Sequence, residues 1–103
     1  MTGEVVMASA KRNGGWREVE ACVREFGSAM RGKLKANQHK GNRAGWRTDS
    51  PQALLRRLRE EVAELEHAVA TGGDVRKESA DVGNFAMMVA DSCGVLMPVG
   101  GRR

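Results

Sequence analysis

The sequence predicts an all-α domain, and three observations carry that prediction. Apolar residues recur every three and four positions in three separate stretches. Ser50-Pro51 and Asp74 read as helix starts, while Gly72-Gly73 and Gly94 read as stops. No stretch alternates apolar and polar residues as a half-buried strand does, and no internal repeat stands out.

Along the chain, residues 1–15 are small, glycine-rich and aperiodic, and read as a flexible N-terminal segment. A first helix is expected from about Trp16 to His39, with the stripe Val19, Cys22, Val23, Phe26, Met30 and Leu34. Lys40 to Asp49 reads as a polar loop with two glycines; it lacks the Gly-Lys-Ser/Thr ending of a phosphate-binding P-loop. Ser50 is an N-cap and Pro51 suits the first helical position, so a second helix covers about Pro51 to Thr71. Leu54, Leu58, Val62, Leu65 and Val69 form its stripe. Gly72-Gly73 breaks it, Asp74 caps a third helix, and that helix ends near Gly94. The domain thus spans residues 16–94, with three main helices and an αα-hairpin, and 95–103 form a C-terminal tail.

With 103 residues, four aromatics and no tyrosine, one domain with a thin core is expected. Oligomerisation supplies the missing burial: a homo-dimer or homo-tetramer in which a second subunit completes a four-helix-type bundle. No apolar run approaches a membrane span, and the start has no basic n-region, so no membrane partner and a cytoplasmic location are expected. Cys22 and Cys93 are isolated on helical patterns and read as reduced core or interface thiols.

The net charge of +4 hides an asymmetry. Residues 11–59 carry thirteen Lys/Arg against four acids, whereas residues 60–103 carry four against eight. A basic half beside an acidic half suits a polyanion bridged by metal. The rival is a non-catalytic basic helical module binding nucleic acid or nucleotide. With so few aromatics among the basic residues, and no helix-turn-helix or zinc-finger spacing, nucleic acid takes second place.

The acidic half holds the most pointed pattern. Glu61-x-x-Glu64 and Glu78-x-x-Asp81 flank the Gly72-Gly73 break. Residues three apart share a helix face, so a hairpin brings four carboxylates together about two to three turns from its bend. Like charges so placed need a cation or protons, and a hard divalent metal is the simplest neutraliser. At about 100° per residue, Glu78, Asp81, Phe85, Met88, Val89 and Ser92 fall in one sector of roughly 100°. Two acids therefore lie inside an apolar stripe with no basic residue in it, unlike a solvated charged face. Glu60 and Glu66 are ordinary surface acids on this reading. Glu64-x-x-His67 raises a di-iron bundle, but only one such motif exists and His67 points away from the stripe.

Beyond the acids, Glu60-Glu61-Val62-Ala63-Glu64 and Glu78-Ser79-Ala80-Asp81 resemble the E-E-x-x-E and E-x-x-D signature of the MazG-like all-α nucleoside triphosphate pyrophosphohydrolases. Asn37-Gln38-His39-Lys40-Gly41, Gly45-Trp46-Arg47 and Asp81 through Met88 look like the short single-domain phage and bacterial members. The resemblance covers roughly residues 30–94. It implies hydrolysis of a (deoxy)nucleoside triphosphate to monophosphate and pyrophosphate, with purine deoxynucleotides such as dGTP or dATP as the expected substrates. By the same analogy Glu61, Glu64, Glu78 and Asp81 hold Mg²⁺. Carboxylate ligands agree with Mg²⁺, or Mn²⁺ in its place, rather than zinc. A carboxylate not saturated by metal, Glu61 or Glu60, takes the proton of an attacking water. A triphosphate also needs cations, and Lys33, Lys40, Arg43 and Arg47 lie nearby, with Lys40 and Arg47 preferred. Trp46 is expected to stack on a base, Asn84 to bond ribose, phosphate or metal-bound water, and Asn37 and His39 to read base or sugar edges. Asn84 as a helix–helix hydrogen bond and Trp46 as loop packing are the structural alternatives.

Overall fold

The computed structural model describes residues 13–97. These form α1 (Asn13–Ala36), a 3-10 turn (Gln38–Lys40), a short α2 (Asn42–Trp46), α3 (Pro51–Thr71) and α4 (Val75–Ser92), with no strand among the described residues. The all-α expectation therefore stands, with one helix more than the three main ones expected. None of these helices is long and apolar enough to cross a membrane.

α3 begins where Ser50 and Pro51 dictate. Ser50 Oγ accepts from the Ala53 amide at 3.0 Å, satisfying one of the donors that a helix start leaves free. The helix stops at Gly72, whose left-handed φ of 77° lets the chain turn back while its amide returns to Ala68 O. Asp74 then caps α4 by accepting from the Lys77 amide at 3.0 Å. The two helices run back to back as a hairpin, and α4 also packs along α1, so α4 is the central element.

The contact between α4 and α1 is close at Gly83. A Cβ there would stand 2.8 Å from Phe26 Cε2 and 3.3 Å from Met30 Sδ, so any other residue would have to displace the Phe26 ring. Asn84, one residue on, donates from Nδ2 to Met30 O at 3.1 Å and ties the same two helices. The core is thin: Leu54, Ala68 and Ala80 are its buried apolar residues, joined by buried Asn84 and Asp91.

Three expectations change. α1 starts at Asn13 and ends at Ala36, so it takes in the last residues of the expected flexible segment and stops short of His39. The polar loop after it is ordered into the 3-10 turn and α2. The apolar stripe of α1 is real as a periodicity, but Val19, Val23 and Phe26 are exposed along it, with Val23 at 67 %. Cys22 and Cys93 are free thiols, exposed in the protomer, which removes the core alternative and leaves the interface one open. Val95, Leu96 and Met97 of the tail are exposed, and the rest of the tail, like residues 1–12, lies outside the described residues.

Candidate metal centre and its cleft

Helix geometry brings three of the four expected carboxylates together. Glu61 comes from the inner flank of α3, and Glu78 and Asp81 from successive turns of α4. One carboxylate oxygen of each lies within 4.8 Å of the others, and all three residues are half-buried. Glu64 stands one turn beyond Glu61, is exposed, and belongs to no such cluster. Its charge is still felt. The Glu61 carboxyl is pushed above its ordinary range by burial first, then by the charges of Glu64, Asp81 and Glu78, with Arg57 opposing. Glu60 lies outside the cluster; it is exposed and pairs with Arg57 at 3.3 Å.

Basic residues reach these acids from beyond the stripe. Lys33 of α1 approaches Asp81 Oδ1 at 3.4 Å, and Lys77 lies 3.3 Å from Glu78 Oε2 and 4.0 Å from Asp81 Oδ2. The Lys77 ammonium is held above its usual range chiefly by its hydrogen bond to Glu78. Part of the acidic charge is thus offset within the chain. Glu78 Oε1 is not: it is buried and has no partner. Buried oxygens without partners are uncommon in folded interiors. Three converging carboxylates, one with an unmet oxygen and another with a raised pKa, suit a hard cation bound through oxygen.

A cleft of about 380 Å³ opens beside this cluster, with Glu61 and Asp81 in its wall. Lys33 lines it from α1, Asn37 from just after that helix, Lys40 from the 3-10 turn, and Trp46 from α2. Asn84, Phe85 and Met88 of α4 and Leu54 of α3 complete the inner side. Arg57 also lines it, its guanidinium 4.8 Å over the Phe85 ring. The cleft thus combines cationic, carboxylate and apolar groups, with Lys33 and Asp81 paired in its lining.

Of the expected ligand-binding residues, Asn37, Lys40, Trp46 and Asn84 line this cleft and Arg47 does not. Arg47 is drawn instead to Asp91, where its Nη1 donates to the main-chain oxygen at 3.2 Å and sits 3.4 Å from Oδ1. His39 is exposed and outside the cleft. His67 is exposed beside a second, shallower hollow that also holds Glu64.

Asp91 is the residue that sequence reasoning missed. It is 3 % exposed, accepts two bonds from Arg43 at 2.9 and 2.7 Å, and accepts the Trp46 indole N–H at 2.9 Å. The Arg43 and Trp46 hydrogen bonds, with the charges of Arg43 and Arg47, hold its carboxyl well below the usual range despite burial. This knot pins α2 to the end of α4 and sets Trp46 in the cleft wall. A signal was present: Asp91 lies seven residues after Asn84 and three after Met88, on one helix face.

Comparison with protein-family models, with curated protein sequences and with solved structures returns no significant match for this chain.

Proposed function

We propose that this protein is a divalent-metal-dependent nucleoside triphosphate pyrophosphohydrolase, converting a nucleoside triphosphate and water to the monophosphate and pyrophosphate. One observation carries the reading. The Glu61, Glu78 and Asp81 oxygens converge within 4.8 Å beside a cleft that Glu61, Asp81, Lys33 and Lys40 all line. Carboxylates able to hold a metal and cations able to meet phosphate, gathered at one cleft, are what attack on a triphosphate requires. The resemblance of residues 60–64 and 78–81 to the MazG-like signature supports the same chemistry.

Glu61, Glu78 and Asp81 are the residues to hold Mg²⁺, or Mn²⁺ in its place, with Glu64 the remaining carboxylate on that flank. A cation bound there would offset charge on phosphate oxygens and lower the pKa of an attacking water. The chain's own groups do the rest. Lys33 and Lys40 meet the triphosphate charge. A Glu61 oxygen not engaged by the metal takes the water's proton. Glu60 is the poorer base, being exposed and paired with Arg57. Water adds to one of the two phosphorus atoms flanking the α–β bridging oxygen and the bond from that phosphorus to the bridging oxygen breaks, so the products are monophosphate and pyrophosphate. Trp46, its N–H committed to Asp91, offers only its ring to a base. Assembly as a homo-dimer or homo-tetramer belongs to the same proposal, because the stripe of α1 is exposed among the described residues.

The test is a panel of eight ribo- and deoxynucleoside triphosphates with Mg²⁺, resolving pyrophosphate from phosphate. Monophosphate with pyrophosphate supports the reading, and the ranking tests the expectation of dGTP or dATP. Diphosphate with phosphate would keep the metal site and move the attack to the terminal phosphorus. Silence with both Mg²⁺ and Mn²⁺ would sink the enzyme and favour the basic binding module, with Lys33 and Lys77 as structural partners of the acids.

A further inference from the structure

Two side-chain amides in the cleft are oriented by the main chain of α1. Asn84 Nδ2 donates to Met30 O at 3.1 Å, and Asn37 Nδ2 donates to Lys33 O at 3.1 Å. A main-chain carbonyl only accepts, so neither amide can be turned over without losing its bond. Each therefore keeps its Oδ1 for something else. Asn84 is 4 % exposed and its Oδ1 has no partner, the kind of buried orphan that folded interiors avoid. Asn37 is half-buried in the same cleft. Met30 and Lys33 are three residues apart, which places their carbonyls about 4.5 Å apart along the helix axis. Both residues line the one cleft. Trp46 adds no donor beside them, since its indole N–H is spent on Asp91 at 2.9 Å.

We infer that this cleft selects a nucleobase carrying an exocyclic amino group, which donates to Asn84 Oδ1 with Asn37 Oδ1 as the second acceptor. The inference rests on the nucleotide reading above and adds the class of base. An amino group fills the unmet acceptor. An oxo group at the same place sets one carbonyl oxygen against another and leaves Asn84 unpaired, which is how a buried polar site rejects an analogue. A water molecule could also satisfy Oδ1, but it would not tell amino from oxo bases.

The experiment measures binding of the α,β-methylene triphosphates of adenosine, inosine, cytidine and uridine to the wild-type chain with Mg²⁺, by calorimetry. Within each ring size that binds, the amino member is expected to bind about tenfold tighter or better than its oxo partner. Asn84→Leu should bring that ratio within about threefold while triphosphate binding persists, because the apolar replacement removes the acceptor. Asn37→Ala, at a half-exposed position after α1, should lower the same ratio and gives the readout if Asn84→Leu does not fold. Equal binding of amino and oxo partners, or a ratio untouched by both variants, overturns the inference and leaves the nucleotide reading standing. Binding of none of the four overturns the nucleotide reading and the inference with it.

Discussion

Glu61 and Asp91 answer pH in opposite directions. Burial and neighbouring acids raise Glu61 above its ordinary 4.5, so the folded state holds that proton more tightly than the unfolded chain. In metal-free buffer its contribution is full below 4.5 and is lost as pH rises through the folded value. Asp91 behaves in reverse. Its folded value lies far below the ordinary 3.8, so it stabilises above 3.8 and that contribution fades as pH falls further. Urea midpoints recorded across this acidic range should show both trends. Glu61→Gln should flatten the first, and Asp91→Asn the second, with altered Trp46 fluorescence as α2 comes loose. A variant profile superimposable on wild type would refute the corresponding assignment. Adding Mg²⁺ near neutral pH should raise the melting temperature; at a hundredfold excess over Kd the linkage is about 2.7 kcal/mol. Alanine at Glu78 or Asp81 should abolish that shift and any turnover while leaving helicity. Retained turnover in either variant argues that the cluster is only structural.

Among the elements, α4 decides most, because both α1 and α3 pack on it. Gly83→Val places bulk where a Cβ already meets Phe26 at 2.8 and 2.9 Å, forcing α1 away. A loss of about 1–3 kcal/mol is expected from such overpacking, read by chemical denaturation, and an unchanged midpoint would show that Phe26 swings aside freely. Ser50→Ala removes the side-chain acceptor from the α3 start and should cost about 1 kcal/mol by the same measurement. The ends of α3 and α4 were legible because caps are local: Ser50-Pro51, Gly72 and Asp74 act on amides and carbonyls within a few residues. α2 was not legible. Five residues are too few to show a period, and Gly41 and Gly45 beside them read as loop. What orders that segment is Asp91, more than forty residues away.

For the whole molecule, the single large side chain that is fully buried is Leu54, among the described residues. Leu54→Ala should therefore cost about 2–5 kcal/mol, a large share of what so thin a core provides. A smaller loss on denaturation would mean that stability resides elsewhere, as in subunit contacts. The exposed Trp16, Val19, Val23 and Phe26 on α1 point to such contacts. Sedimentation of the wild type is expected to show a dimer or tetramer, with Val23→Asp shifting it toward monomer. A monomeric wild type at micromolar concentration would dismiss the oligomer.

The helical class, the hairpin and the spacing of the acids follow from the chain alone, since periodicity, caps and turn residues act over one or two helical turns. Which acids converge does not. Glu61, Glu78 and Asp81 meet, whereas Glu64 stays exposed, because residues three apart still differ by about 60° around the helix. The partners of the charges were equally hidden. Lys33 reaches Asp81 from α1, and Arg47 turns from the cleft to Asp91, contacts set by helix packing across long stretches of chain. Local rules wrote the elements, and packing chose which of their polar groups would share a site.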